Sequence, residues 1–276
     1  MIKTSRQLKD LVHNKSGGDS VKAQLIIRNY IMERFLERVS LSRFSDQFIF
    51  KGGMMISAMV GIDNRSTMDI DTTLKNINLS VDDISNVLSE IISVDIADGI
   101  EFRIKSITEI MDEAEYPGVR ASLEATLENM RTPLKVDFST GDAITPKEKS
   151  YDYKLMFENR SISILAYNTE TILAEKIETI LSRSTANTRM RDFYDIRILY
   201  DTVDFDYDGL KAAFAATCSK RQSQAVSDSR EGIIKQIEND SGLKELWSNY
   251  QRKYDYARDY SWYDVIFTLK LFSKKI

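Results

Sequence analysis

The sequence contains very little of the chemistry that depends on sulfur or imidazole. Cys218 is the single cysteine and His13 the single histidine among 276 residues. One cysteine excludes an intramolecular disulfide framework and a cysteine-rich zinc site, and one histidine argues against metal or proton chemistry built on histidines. Cys218 follows the small residues Ala-Ala-Thr and is predicted to pack within a helix.

Long apolar segments are absent from the sequence as well. No run approaches the roughly 18 apolar residues of a membrane span, and the N-terminus lacks the apolar centre of a secretion signal. The sequence is nevertheless 42% hydrophobic and 10% aromatic, which suffices to fill the core of one large or two ordinary domains. These features predict a globular protein of the cytoplasm that does not bind membranes.

Charge is distributed unevenly along the sequence. The formal net charge of −4 argues against unfocused binding to nucleic acid, whereas residues 211–276 are mildly basic. That region also holds a dense group of aromatic residues: Tyr250, Tyr254, Tyr256, Tyr260, Trp262 and Tyr263. Aromatic rings among basic residues can stack on unpaired RNA bases, although packing between helices is the commoner explanation.

Helical and strand patterns alternate in residues 1–167. Helices are predicted at residues 5–13, after a cap at Asp19 or Ser20, and at residues 81–92 after a serine cap. Alternation of apolar and polar residues predicts strands at 68–72, 102–107 and 134–139. Strands are also predicted at the short apolar segment 48–50 and at 119–127 and 161–167, with a turn at 116–119. This mixture indicates an α/β domain.

Residues 168–276 show helical periodicity instead. A helix is predicted from a cap at Asn168 or Thr169 to Arg183. Further helical patterns lie at residues 209–217, 225–237 and 243–250. We therefore expect a second, helical domain at the C-terminus.

Two acidic residues alternate with apolar residues in the segment Met68-Asp69-Ile70-Asp71. In a strand, side chains two residues apart point to the same face, so both carboxylates would share one face with Met68 and Ile70 buried behind them. Two such carboxylates repel each other unless a cation lies between them. Their spacing of about 7 Å suits Mg²⁺ or a pair of ions. Taken alone, the pattern also fits a solvated strand end.

A glycine turn precedes the acidic pair. Gly52-Gly53 separates the apolar strand at 48–50 from a helix predicted at 54–60. Glycines let the backbone approach a phosphate closely, and a helix N-terminus offers N–H groups and the positive end of its dipole. A simple turn of the chain is the alternative, but the acidic pair downstream favours a phosphate site.

These residues resemble the first motif of the AbiEii-type nucleotidyltransferases, toxins of bacterial abortive-infection and toxin–antitoxin systems. The matching residues are Lys51, Gly52, Gly53, Arg65, Thr67, Asp69 and Asp71. The resemblance implies a DNA polymerase β-like nucleotidyltransferase core with a mixed sheet. It also implies that the first five residues bind the nucleoside triphosphate and that the two aspartates bind Mg²⁺. Many relatives have serine where this chain has Gly53, so the backbone must bind the phosphate here.

Asp137 is the expected third carboxylate of this site. It lies in a second alternating segment, residues 134–139, which is bounded by Pro133 and Gly141. The resemblance implies that Asp137 completes the metal cage from a neighbouring strand and helps to deprotonate the acceptor. A lone aspartate on a strand is more often an exposed residue, so this role depends on the preceding motif.

Downstream motifs extend the resemblance into the helical region. The matching residues are Ala174, Glu175, Lys176, Arg183, Arg191, Asp192 and Asp195. The resemblance implies that Lys176 binds the triphosphate and that Asp192 orients this lysine or the acceptor hydroxyl. It assigns no role to Arg183, Arg191 or Asp195. Ordinary ion pairs on helix surfaces would produce the same spacing.

The resemblance as a whole implies a nucleotidyltransferase toxin of a bacterial defence system against phage. It would use Mg²⁺ to transfer a nucleoside monophosphate from an NTP to an RNA acceptor, most simply tRNA, and an antitoxin would be encoded nearby. The domain at 1–167 would carry the metal site, and the helical domain at 168–276 would contribute Lys176 and Asp192. Two alternatives remain, namely an enzyme of the same fold that modifies a small molecule such as an antibiotic and a non-catalytic module that binds nucleotide or RNA.

Overall fold

The structure is a computed structural model that describes residues 2–111 and 117–276. In this part of the chain the residues form two compact units. The first unit consists of residues 2–58, 66–111, 117–142 and 149–166. The second unit consists of residues 59–65, 143–148 and 167–276. Two short segments of the second unit therefore interrupt the sequence of the first.

A seven-stranded mixed sheet forms the scaffold of the first unit in the described residues. Its strands are β1 (Phe48–Lys51), β2 (Asp69–Leu74), β3 (Ile100–Met111), β4 (Pro117–Leu127), β5 (Met130–Thr140), β6 (Lys149–Lys154) and β7 (Ser161–Ala166). Their order across the sheet is β3-β4-β5-β2-β1-β7-β6. β2 lies parallel to β5 and antiparallel to β1, which in turn lies parallel to β7. The predicted mixed sheet is therefore confirmed.

Three details of the sheet differ from the sequence prediction. β5 begins at Met130, so Pro133 lies inside the strand and not at its boundary. The turn predicted at 116–119 is wrong from Pro117 onward, because β4 begins there, while Tyr116 lies outside the described residues. β6 is missing from the prediction, since its sequence is mostly polar and it lies at the edge of the sheet.

Four helices precede β3 in the described chain: α1 (Ser5–Ser16), α2 (Ser20–Leu41), α3 (Gly52–Val60) and α4 (Val81–Ile92). Asp19 caps α2, because its Oδ1 accepts hydrogen bonds from the backbone N–H groups of Val21 and Lys22. Ser80 caps α4 in the same way through the N–H of Asp83. Both predicted helix starts are confirmed.

α2 carries four charged residues into the interior of the first unit: Glu33, Arg34, Glu37 and Arg38. Arg38 donates two hydrogen bonds of 2.9 Å to the carboxylate of Asp98 and one of 2.8 Å to the carbonyl oxygen of Ile100. Glu33 accepts hydrogen bonds from the backbone N–H of Met156, and burial raises its pKa to about 7. These contacts tie α2 to the segments that precede β3 and follow β6.

The second unit is helical throughout its longest segment. The helices described there are α5 (Thr169–Arg183), α6 (Met190–Thr202), α7 (Tyr207–Lys220), α8 (Gln224–Asp228), α9 (Arg230–Asn239), α10 (Ser241–Lys253) and α11 (Trp262–Ser273). Asn168 caps α5 as predicted, since its Oδ1 accepts from the N–H of Thr171. The helix predicted at 225–237 is divided between α8 and α9, and α11 is missing from the prediction. Cys218 is buried within α7, as its predicted packing role requires.

Among the described helices of both units, none has the length and apolar character needed to cross a bilayer.

The C-terminal aromatic residues pack mainly within the second unit. The ring centroid of Tyr194 lies 6.2 Å from that of Tyr250 and 4.8 Å from that of Tyr256. Tyr250 also stacks on Trp247 at 5.6 Å. Tyr263, by contrast, is 71% exposed on α11. Packing explains most of this group, and contact with RNA stays a prediction for the exposed ring.

Replacing Asp98 by alanine tests the buried pair with Arg38. The substitution leaves a guanidinium group that is only 3% exposed without its carboxylate, so we expect the free energy of unfolding to fall by about 3–5 kcal/mol. Urea denaturation measures this loss. Glu90→Ala is the control, because the pair of Glu90 with Arg43 is exposed and should contribute less than ~1 kcal/mol. Equal losses in both variants would contradict the importance of burial.

Candidate active site

Two carboxylates lie at the beginning of β2. Asp69 and Asp71 are half-buried on one face of the strand, whereas Ile70 between them is fully buried on the other. Met68 precedes the strand and is 47% exposed, so its predicted burial is wrong because the alternation begins only at Asp69. Thr67 is buried and donates its hydroxyl to the backbone carbonyl of Asp69 at 3.3 Å. Its contact with nucleotide stays a prediction.

β5 brings a third carboxylate to the same face of the sheet. In the parallel ladder, Asp71 pairs with Asp137 and Asp69 pairs with Lys135. Paired residues on neighbouring strands point to the same face, and the strands lie about 5 Å apart. Asp69, Asp71 and Asp137 therefore share one face of the sheet.

Arg120 of β4 holds the carboxylate of Asp137. Its Nε and Nη2 donate hydrogen bonds of 2.7 and 2.6 Å to the two carboxylate oxygens. Across residues 2–111 and 117–276, no three acidic, histidine or cysteine side chains are close enough together to hold a metal ion. Sequence reasoning missed Arg120, because an arginine on a strand gives no indication of its cross-strand partner.

The donor set nevertheless fits Mg²⁺. Carboxylate oxygens are the hard ligands that this ion prefers. Asp69 and Asp71 lie on the required face, and Asp137 is directly opposite Asp71 in the ladder. The assignment of these three residues as metal ligands stays a prediction.

The glycine turn lies directly against Asp71. Gly52 has a φ of +67°, a conformation that residues with a side chain rarely adopt. A Cβ atom at Gly52 would also overlap a carboxylate oxygen of Asp71. Gly52 and Gly53 begin α3, where N–H groups and the positive end of the helix dipole suit an anion. The position therefore requires glycine on two grounds and places a possible phosphate site beside a predicted metal ligand.

Lys51, the last residue of β1, is bound to an aspartate that sequence reasoning missed. Its Nζ donates a hydrogen bond of 2.8 Å to Ser139 Oγ and forms an ion pair with Asp142. The same oxygen of Asp142 accepts a hydrogen bond from Thr73. No motif in the sequence marks Asp142, so its position emerges only from the fold. Contact of Lys51 with the nucleotide stays a prediction.

The second unit contains a buried group of alternating charges. Lys176 of α5 places its Nζ 2.6 Å from Asp192 Oδ1 and 2.8 Å from Asp195 Oδ2. Asp192 and Asp195 are one turn apart, so they lie on the same side of α6. Arg65 donates from Nε and Nη2 to the two oxygens of Asp195 at 2.6 and 3.1 Å. We call these four residues the α5–α6 charge cluster.

Burial makes the α5–α6 charge cluster different from a surface lattice of ion pairs. Asp195 is 0% exposed and Arg65 only 1% exposed. Burial acts to raise the pKa of Asp195, but Arg65 and Lys176 outweigh it and lower this pKa to about 2. Burial acts to lower the pKa of Lys176, but Asp192 and Asp195 outweigh it and raise this pKa. Lys176 and Asp195 are therefore both charged at neutral pH.

One oxygen of the α5–α6 charge cluster has no partner among the described residues. Asp192 is 8% exposed, and its Oδ2 is buried without a hydrogen bond. The role of Asp192 in orienting the acceptor hydroxyl stays a prediction. Arg65 directs Nε and Nη2 to Asp195, and its predicted contact with nucleotide stays a prediction. Arg191 is exposed on α6, and Arg183 is the last residue of α5.

Comparisons with solved structures show which proteins share this fold. The chain is similar to the nucleotidyltransferase toxin MenT4 of Mycobacterium tuberculosis, with 14% identity, a TM-score of 0.59 and coverage of 96% of this chain and 98% of that chain. It is also similar to JHP933 of Helicobacter pylori, with 19% identity, a TM-score of 0.50 and coverage of 91% and 93%. At these identities the similarity shows a common fold, which confirms the predicted fold class. No curated protein matches the sequence significantly.

The sequence itself matches a family profile over most of its length. The profile is described as nucleotidyl transferase AbiEii toxin, type IV toxin–antitoxin system, and it matches residues 34–267. This range includes the glycine turn, the three strand carboxylates and the α5–α6 charge cluster. The chain therefore belongs to the family of AbiEii nucleotidyltransferase toxins.

Proposed function

We propose that this enzyme transfers a nucleoside monophosphate from an NTP to a hydroxyl group of an RNA acceptor, most simply tRNA. The reaction would require Mg²⁺, release pyrophosphate and take place in the cytoplasm. Family membership supports nucleotidyl transfer and toxicity. The observation that carries the proposal is the pairing of Asp71 with Asp137 on one face of the sheet, beside the turn at Gly52.

The first unit would bind the metal and the triphosphate. Asp69, Asp71 and Asp137 would hold Mg²⁺, which neutralises phosphate charge and makes a coordinated hydroxyl more acidic. The N–H groups of Gly52-Gly53 would bind phosphate without help from a side chain. Asp137 would also accept the proton of the acceptor hydroxyl, which turns that hydroxyl into the attacking nucleophile.

Lys176 and Asp192 would complete the chemistry from the second unit. Lys176 forms ion pairs with Asp192 and Asp195 and is 14% exposed. Burial acts to lower its pKa, but the two carboxylates outweigh it and raise this pKa, so its positive charge would stabilise the charge that develops on the phosphate. Asp192 binds this lysine through Oδ1. Asp192 would also orient the acceptor hydroxyl.

Toxicity follows if the acceptor RNA is required for translation. Each turnover would remove one functional RNA molecule, so even a rate of ~1 s⁻¹, within the ordinary range for enzymes, is fast enough to stop growth within minutes. The family description implies an antitoxin. We propose that a neighbouring gene encodes it and that the pair defends the cell against phage by abortive infection.

Replacing Asp71 by asparagine should remove metal-dependent transfer without unfolding the protein. The substitution keeps the side-chain shape but deletes a charge that would bind Mg²⁺, so we expect NTP-dependent pyrophosphate release in the presence of total RNA to fall ~10²-fold or more. Binding of Mn²⁺, followed by electron paramagnetic resonance, should weaken in parallel. Asp152→Asn is the control, because Asp152 is an exposed aspartate of β6 in the same sheet.

Circular dichroism should show the same helix and strand content in wild type, Asp71→Asn and Asp152→Asn. Pyrophosphate release and Mn²⁺ affinity equal to wild type in the folded Asp71→Asn variant would contradict the metal site. Loss of both in Asp152→Asn would show that the effect is not specific to the paired carboxylates.

Induced expression should stop bacterial growth, and Lys176→Ala should relieve the arrest. The substitution removes the cation assigned to the triphosphate, for which we expect a rate loss of about 10²–10³-fold. Lys270→Ala is the matched control, since Lys270 also forms an ion pair, with Glu238 at 2.7 Å, but is 44% exposed. Growth curves with protein levels checked by immunoblotting provide the measurement. Arrest by Lys176→Ala equal to that by wild type at the same level would contradict the assignment.

A further inference from the structure

Asp195 binds two cations of the second unit at once. Its Oδ1 accepts from Arg65 Nε at 2.6 Å, and its Oδ2 lies 3.1 Å from Arg65 Nη2 and 2.8 Å from Lys176 Nζ. The side chain is fully shielded from water. Because the carboxylate of Asp195 binds both cations, it holds Lys176 in position as well as Arg65.

The charges of the α5–α6 charge cluster balance only when Asp195 is present. Arg65 and Lys176 supply two positive charges, and Asp192 and Asp195 supply two negative charges. Without Asp195, Arg65 and Lys176 would face one carboxylate, and like charges destabilise each other more strongly where water is largely excluded. Asp192 would then have to neutralise both cations. With Asp195 in place, Asp192 binds Lys176 through Oδ1, and its Oδ2 has no hydrogen-bond partner among the described residues.

Asp195 also binds a turn of the chain within the second unit. Within residues 59–65, Arg65 N donates to Gly61 O at 3.0 Å, which closes a turn. Tyr194 Oη, adjacent to Asp195 on α6, donates to Asn64 O at 2.5 Å. Side chains of two consecutive α6 residues therefore hold consecutive residues of this turn. Asp69 follows only four positions after Arg65 in the sequence.

We propose that Asp195 is a positioning residue for the transfer reaction. It holds Lys176 charged and in place beside Asp192, and it binds Arg65 in the turn of residues 61–65. The inference rests on the proposed role of Lys176 in binding the triphosphate. Asp195 acts through Lys176 and Arg65 and does not itself contact the substrate.

Competitive acetylation of lysines tests the effect of Asp195 on Lys176 without requiring activity. Acetic anhydride reacts with the neutral amine, so the labelling rate of Lys176 relative to Lys270 follows the pKa of Lys176. Asp195→Asn should raise this relative rate at pH 9 about tenfold, since loss of a neighbouring opposite charge lowers a pKa by about one unit or more. Asp201→Asn is the control, because Asp201 lies on the same helix in a pair with Arg197. Mass spectrometry of digested protein gives both rates.

An unchanged rate for Lys176 in folded Asp195→Asn would overturn the proposal. If Asp195→Asn does not fold, the single variant Arg65→Met is compared with the double variant that carries Arg65→Met and Asp195→Asn. The double variant removes both members of the buried pair, so it leaves no unpaired guanidinium in the interior. Adding Asp195→Asn to Arg65→Met should again speed the labelling of Lys176 about tenfold, and no increase would overturn the proposal.

Growth assays separate this inference from the proposed function. At equal protein levels, Asp195→Asn should relieve the growth arrest as Lys176→Ala does, whereas Asp201→Asn should remain toxic. Full toxicity of Asp195→Asn despite faster labelling of Lys176 would overturn the positioning role. Absence of toxicity in wild type would contradict the proposed function instead, and the labelling experiment would still decide how Asp195 acts on Lys176.

Discussion

The parallel pairing of β2 with β5 is the constraint on which the candidate active site depends. It places the carboxylates of Asp71 and Asp137 opposite each other on one face of the sheet. Two such charges raise the energy of the folded chain unless a cation lies nearby. Arg120 supplies a cation by binding both oxygens of Asp137. A divalent ion bound to the carboxylates would meet the same requirement and would also serve nucleotidyl transfer.

The α5–α6 charge cluster meets a related constraint with side chains alone. Arg65, Asp192 and Asp195 are buried and Lys176 is 14% exposed, so each charge depends on the others for compensation. Burial acts to lower the pKa of Lys176, but the two carboxylates outweigh it and keep the lysine protonated. A cation held in this way loses little further freedom when it binds a phosphate, which is the advantage of a preorganised site.

The sequence predicted the parts of this structure that depend on neighbouring residues. The alternation around Asp71 and the cap at Asn168 are local, because a strand face and a helix start are determined within a few positions. The partners Arg120 and Asp142 were not predictable, since their contacts depend on which strands pair across long sequence separations. Resemblance to the family supplied Lys176 and its acidic partners, but only the structure shows that both aspartates are buried and ion-paired with it.

Transfer of label from NTPs to RNA tests the central claim most directly. Purified protein is incubated with Mg²⁺, total RNA and each NTP in turn, labelled either at the α-phosphate or at the γ-phosphate. The account predicts that α-label becomes covalently attached to RNA, that γ-label leaves as pyrophosphate, and that EDTA prevents both. Label confined to small molecules, or attachment of γ-label to RNA, would contradict the account.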